Sequence, residues 1–293
     1  MTKRNLSLLL LLALSAVLTI YIKTVQYRAA GAKREGNAGQ VENDAQHELE
    51  LNAQRHPNDL QAQLDLADTL QKSGEHARAI QTFSVAAHLA PQDARAYIGL
   101  GILALQDNRS DIAIVNFREA VRYNPEDADV WRTLTKLYVK MHPYPQAIAA
   151  SQRLIKLQPK DAVAWRRLGV LQTHTHRVQE GYGSLVQAIT LNPNDPETQT
   201  ALGINELALS HSPEAKHAFE QAIIQRPNDD IALTGLATAL KLDKEQTTAY
   251  VYLSQAYAES GRPALARKAS VDYQKASSTV KSNGSAASKE KNQ

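Results

Sequence analysis

Six prolines stand at one fixed interval: Pro57, Pro91, Pro125, Pro159, Pro193 and Pro227 recur every 34 residues. Each opens a Pro-x-Asp tripeptide, so Asp59, Asp93, Asp127, Asp161, Asp195 and Asp229 keep the same period. A period of this length is the mark of a small supersecondary unit stacked many times, because one unit alone cannot bury its apolar face. The chemistry of the tripeptide agrees. Proline cannot continue a preceding helix, and an aspartate two residues later suits the start of the next one, where its carboxylate accepts a backbone N–H and complements the helix dipole.

Numbering each unit so that the proline falls at position 32 aligns the rest of the chain into columns. Position 4 reads Gln63, Tyr97, Trp131, Trp165 and Gln199, which places both tryptophans of the chain in one column. Position 7 is leucine throughout (Leu66, Leu100, Leu134, Leu168, Leu202), and position 8 is Ala67, Gly101, Thr135, Gly169 and Gly203. Position 20 reads Ala79, Ala113, Ala147, Gly181 and Ala215, and position 27 reads Ala86, Ala120, Leu154, Ala188 and Ala222. Position 24 holds Phe83, Phe117, Ser151, Leu185 and Phe219, and so contains all 3 phenylalanines. Spacings of three and four make one apolar stripe on each of two helices. The small residues let the two helices approach, and the large side chain at position 24 fills space against the next unit.

These columns resemble the tetratricopeptide repeat family, whose pattern is a bulky residue at 4, leucine at 7, small residues at 8 and 20, aromatics at 11 and 24, alanine at 27 and proline at 32. The resemblance implies an all-α fold, a right-handed solenoid of stacked helix-turn-helix repeats. It places five repeats at 60–93, 94–127, 128–161, 162–195 and 196–229. Two departures stand out. Position 11 is aromatic only at Tyr138, and Gly181 puts a poor helix former inside a second helix.

The ends are atypical. Ala45, Leu49 and Pro57 fit positions 20, 24 and 32, so 41–57 is expected to be a half-repeat cap with a lone second helix. Downstream, 230–279 is expected to hold a partial sixth repeat and capping helices. Leu233, Leu236, Ala237 and Leu240 make a first helix, but Tyr250, Leu253, Ser254, Tyr257, Gly261 and Ala266 restart the pattern after only 17 residues. Either the sixth repeat lacks its second helix, or 247–260 serves as that helix and a cap follows; both readings give three helices. The polar tail 280–293 is expected to be disordered.

Ahead of the repeats, Asn5 to Ile22 is an uncharged apolar run of 18 residues. At about 1.5 Å per residue it spans roughly the hydrocarbon core of a bilayer, so 1–22 is expected to be a signal anchor forming one transmembrane helix before a flexible linker at 23–40. Cleavage near Ala30-Gly31-Ala32 is the alternative, although those small residues lie far beyond the apolar run. Lys3 and Arg4 favour an N-terminus held inside, while Lys23, Arg28, Lys33 and Arg34 pull the other way. The expected arrangement is a single-pass protein of a bacterial inner membrane with its repeats in the periplasm. An exported soluble protein and repeats facing the cytoplasm are the alternatives.

The same composition narrows the chemistry. The chain has 0 cysteines, hence no disulfide, thiolate metal site or cysteine nucleophile, and its net charge of +3 is too small to point to nucleic acid. His174 and His176 sit two residues apart and do not share a helix face, which argues against a metal site. Gly99-Leu100-Gly101 lacks dinucleotide-loop spacing, and Gly181-Tyr182-Gly183 is no nucleophile elbow. No cofactor, metal site or catalytic residue is expected, and the chain is read as a non-enzyme.

The resemblance points instead to the groove lined by positions 2, 5, 9, 12 and 13 of the first helices. The third repeat supplies Asp129, Arg132, Lys136, Val139 and Lys140 there, and the fourth Val163, Arg166, Val170, Thr173 and His174. Arg132, Lys136, Lys140 and Arg166, bordered by Ile102, Val170 and Ile204, are the candidate partner-binding residues. One reading takes the cations as solubilising surface; the other takes them as receiving an acidic peptide or a C-terminal carboxylate. The first repeat carries Leu64 and Asp68 where chaperone-binding members need lysine and asparagine, so no chaperone partner is implied. The expected function is a membrane-tethered protein–protein interaction scaffold that holds a partner peptide in its groove. The alternatives are a substrate-recruiting or regulatory subunit of a separate transferase or envelope biogenesis complex, and a structural homo-oligomer packed end to end.

Overall fold

Each Pro-x-Asp tripeptide marks a helix boundary in the computed structural model, which describes residues 44–242 and 249–275. Among the described residues there are α-helices and no strands. They are α1 (44–55), α2 (Leu60–Lys72), α3 (His76–Leu89), α4 (Ala94–Gln106), α5 (Ser110–Tyr123), α6 (Ala128–Met141), α7 (Tyr144–Leu157), α8 (Ala162–His174), α9 (Val178–Leu191), α10 (Pro196–Ala208), α11 (Ser212–Gln225), α12 (Asp230–Leu242), α13 (Ala249–Glu259) and α14 (263–275). The chain divides at Asn124 and Pro125 into two compact units, the first built from α1–α5 and the second from α6–α14. No helix of the described residues is long and apolar enough to cross a membrane; the run Asn5 to Ile22, the linker and the polar tail lie outside them.

The aspartates cap the first helices as their spacing predicts. Asp59 and Asp93 each accept from the N–H two residues on at 2.9 Å, Asp127 from Val130 at 3.0 Å, Asp161 from Ala164 at 3.0 Å, Asp195 from Thr198 at 3.2 Å and Asp229 from Ile231 at 3.0 Å. The proline contributes more than helix termination. The Trp131 and Trp165 indole N–H groups donate to the carbonyls of Pro125 and Pro159 at 2.9 Å, the Tyr97 hydroxyl donates to Pro91 at 3.1 Å, and the Gln63 amide donates to Pro57 at 3.2 Å. In these four repeats the side chain at position 4 is thus joined by a hydrogen bond to the proline carbonyl of the turn preceding its helix.

The turn inside each hairpin also repeats. Position 15 adopts a left-handed backbone at Gly74, Asn108, His142, His176 and Ser210, with φ between 59° and 81°. The next N–H then closes the helix by reaching back five residues: Glu75 to Leu70, Arg109 to Ala104, Arg177 to Gln172 and His211 to Glu206, at 2.7–2.9 Å. Pro143 has no N–H to give, and there the Tyr144 N–H closes the turn on the His142 carbonyl at 2.8 Å. Gly261 has φ 73° and Arg262 donates to Tyr257 at 2.8 Å, which is the same turn. So α13 and α14 form a hairpin of their own, and among the described residues no second helix of the usual kind stands between α12 and α13.

In the first unit the core runs from Ala53 through Leu70, Ala79, Phe83 and Ala96 to Leu103. Phe83 lies against Gly99 of the following repeat so closely that a Cβ there would come within 2.3 Å of the ring. In the second unit Phe219, Leu233, Leu236, Leu240 and Leu253 belong to one buried cluster that carries α11 on to α13.

Candidate functional site

The first helices expose positions 2, 9 and 13, leave position 12 half-buried and cover position 5 partly or, at Leu64 and Thr200, wholly; in the second unit residues at these positions line two adjoining depressions. One, of about 240 Å³, is lined by Val139, Val163, Arg166, Arg167, Val170 and Leu171. The other, of about 220 Å³, is lined by Val170, Thr173, His174, Ala201 and Ile204. Val170 belongs to both. It is 46% exposed, with Val163 at 47% and Ile204 at 43%, so an aliphatic shelf faces solvent along α8 and α10.

The two candidate arginines of the shelf are committed within the fold. Arg132 holds Asp129, Gln158 and, at 3.2 Å, Asp161. Arg166 donates to Asp195 at 3.0 Å and to Glu197, and Glu197 also faces Arg226 at 3.6 Å. Asp161 and Asp195 are the helix caps described above, so one carboxylate serves both the helix start and the cation of the preceding repeat. Thr200 repeats the arrangement with Asp229 at 3.1 Å. Lys136 and Lys140 stand at exposed positions on α6. Ile102 sits in the first unit, where with Ile98, Leu64 and Asp68 it lines a separate depression of about 220 Å³. Burial raises the Asp68 carboxyl above the usual carboxylate range, and Asp65 adds to this.

Arg167 does not belong to the groove positions, yet it lines the first depression. Its guanidinium is pushed below the ordinary arginine range by burial first, and then by Arg166 and Arg132. A signal was present in the sequence: position 6 otherwise holds Asp65, Gly99, Thr133, Ala201 and Gly235, all shorter side chains.

The floor of the second depression is held by a polar network. Asn205 is fully buried and donates to Thr173 Oγ1 at 2.6 Å and to the Val178 carbonyl at 2.9 Å. Gly181 leaves the room it needs, since a Cβ there would lie 2.5 Å from Thr173 Oγ1 and 2.9 Å from Asn205 Nδ2. The polar residues at position 11 are also partnered. Gln172 accepts from Ser184 at 2.6 Å, and Glu206 pairs with His211 at 2.8 Å. At the rim, the Tyr144 ring meets His174 edge-on at 4.9 Å, and its hydroxyl bonds His142 Nδ1 at 2.8 Å. Among the described residues no three histidine or acidic side chains gather as a metal site would require.

Helical hairpins that recur at a constant period define the class of helical-repeat proteins. The model of the tetratricopeptide repeat family matches residues 43–94 and 200–244 of this chain. No curated protein is significantly similar in sequence. Among solved structures, YrrB, described as a TPR protein with an unusual peptide-binding site, superposes with a TM-score of 0.59 at 20% identity, covering 64% of this chain and 96% of its own. MamA from AMB-1 gives 0.51 at 19% identity, covering 60% and 96%. Pseudomonas aeruginosa pilF gives 0.50 at 15%, covering 75% and 97%. At these identities the likeness is one of fold.

Proposed function

We propose that this protein is a non-enzymatic interaction scaffold whose second unit receives a partner segment on the shelf around Val170. The observation that carries this reading is the sharing of Val170 by two aliphatic depressions while it stays 46% exposed. Neighbouring apolar side chains left in water across two repeats gain free energy when a partner covers them, at roughly 25 cal/mol per Å². The buried Asn205 and the Arg166–Asp195 pair fix the shelf in advance, which lowers the ordering cost of binding. That YrrB is described with a peptide-binding site supports the same use of the fold.

A photo-crosslinking residue at 170 in the full-length protein tests this reading, with position 115 as the control. Val115 is 60% exposed but lines neither depression. A saturable adduct from 170 and none from 115 is expected; equal labelling from both contradicts the shelf.

The scaffold is further proposed to be tethered to a membrane by Asn5 to Ile22, with the repeats on the exported side. The full-length protein should then stay with membranes through alkaline carbonate extraction. Release as a soluble chain beginning near Ala32 would show cleavage instead.

A further inference from the structure

The seam between second helices changes character at α11. Position 21 of these helices reads Ile80, Ile114, Ile148 and Tyr182, and then Lys216. One turn further along α11 stands Glu220, and one turn beyond it Ile223 and Ile224 meet α13. With Pro227, Gln255, Ala256 and Glu259 these two isoleucines line a depression of about 220 Å³ between α11 and α13. Spacings of three and four put Glu220 on the same side of α11 as both isoleucines.

Lys216 and Glu220 are 11% and 12% exposed, so the seam withdraws two charges from water. Their Nζ and Oε1 stand 3.9 Å apart, and among the described residues this Oε1, itself shut off from solvent, has no hydrogen-bond partner. A buried carboxylate without donors is costly as an anion and much less so as an acid. The helices packed on α11 do not answer it. Among the described side chains the charged groups of α10 and α12 are Glu197, Glu206 and Asp230, which pair with Arg166, His211 and Arg262. On α13 the titratable groups are Tyr250, Tyr257 and Glu259, none of them a cation. On α11 itself Lys216 and His217 draw Glu220 towards its charged form, and burial outweighs them.

The hairpin held by this seam is the last described one. Leu253 and Ala256 of α13 and Ala269 of α14 join the buried cluster of Phe219, Ile223 and Leu236. A hairpin at the end of a stack has a neighbour on one side only, so it opens at lower cost than an internal one.

We propose that Glu220 is a proton-operated latch on the α13–α14 hairpin: protonated, it leaves the hairpin docked on α11, and ionised, it loosens the seam and uncovers the apolar cluster around Ile223. Opening returns the carboxylate to water, so the open form gives up the proton at lower pH than the docked form. Docking is therefore favoured at acidic pH and loses ground as pH rises from the ordinary carboxylate range through the raised folded one. The latch lies apart from the shelf on α8 and α10 and does not depend on a partner there.

Hydrogen exchange of the full-length protein in detergent micelles tests the latch. It is followed by mass spectrometry from about pH 4 to about pH 8 and expressed as protection over an unstructured chain at each pH. In wild type the protection of 249–275 should fall by roughly fivefold or more across this range. Protection of α4 and α5 should stay level, because a repeat that opens in the first unit need not free Glu220. Glu220→Gln keeps the shape of the acid form and cannot ionise, so its α13–α14 protection should stay level. Lys216→Met removes the cation that favours the charged form, and should deepen the fall and carry it to higher pH. A level wild-type profile, an equal fall in Glu220→Gln, a shallower fall in Lys216→Met, or an equal fall in α4 and α5 overturns the latch.

Discussion

Arg132 and Asp161 are 29 positions apart and meet across the junction of two repeats, guanidinium to carboxylate at 3.2 Å. The same carboxylate caps α8 through the Ala164 N–H at 3.0 Å. An arginine at this groove position therefore helps to hold the stack. Arg132→Glu sets a third carboxylate beside Asp129 and Asp161, and should destabilise the protein by about 1–2 kcal/mol. Urea unfolding measures this, and an unchanged midpoint would mean that the pair contributes nothing to the junction.

Gly181 and Gly183 lie in one helix and should respond to alanine in opposite directions. At Gly181 a Cβ would meet Thr173 Oγ1 at 2.5 Å and the Gly169 carbonyl at 2.9 Å, whereas at Gly183 nothing lies within 4 Å. Gly181→Ala should cost about 1–3 kcal/mol through overpacking, despite alanine's better helix propensity. Gly183→Ala should stabilise by about 0.5–1 kcal/mol. Thermal unfolding of the two variants side by side checks the sign of each, and a stabilising Gly181→Ala would show that Asn205 does not need that space.

Phe117 is 2% exposed and fills the position that packs one repeat on its own first helix. Phe117→Ala should destabilise by about 3–5 kcal/mol, since it leaves a cavity where the ring lies against Gly101 of α4. A loss under about 1 kcal/mol in denaturant unfolding would contradict its role in the core.

Glu220 gives a pH signature. Its Oε1 has no hydrogen-bond partner among the described residues, and the Lys216 amine approaches only to 3.9 Å. Burial raises its carboxyl above the usual range, with Lys216 and His217 opposing. The folded state thus holds this proton more tightly than the unfolded chain does. The group's contribution to stability falls as pH rises from the unfolded value through the raised folded one. Glu220→Gln removes that fall, so the variant should gain on wild type between acidic and neutral pH. Unfolding midpoints of both proteins across this range give the comparison, and a constant difference would show that Glu220 titrates as it does in the unfolded chain.

Much of the architecture is legible in the sequence because it depends on short-range rules. The Pro-x-Asp period, the capping aspartates and the Leu, Ala and Phe columns follow from helix geometry within a single repeat. The aliphatic members of the shelf, Val170 and Ile204, are legible for the same reason. What escapes is pairwise and long-range. Whether Arg132 and Arg166 are engaged depends on carboxylates about one repeat away, whose capping duty alone was visible. Arg167 escaped because it lies at position 6, outside the groove pattern. Gly181 looked like a weakness until Asn205 was seen to occupy the space it leaves. The restart at Tyr250 could be assigned only from the left-handed turn at Gly261.

A partner segment on the shelf shared by Val170 and Ile204 would cover both side chains. The most direct measurement is calorimetric titration of the segment crosslinked at residue 170 into full-length wild type, Val170→Asp and Ile204→Asp. Both side chains are more than 40% exposed, at 46% and 43%, so the substitutions should leave unfolding nearly unchanged. Each should weaken binding by at least about tenfold, because an aspartate in the depression must be desolvated opposite an apolar side chain. Affinity unchanged by both substitutions would contradict it.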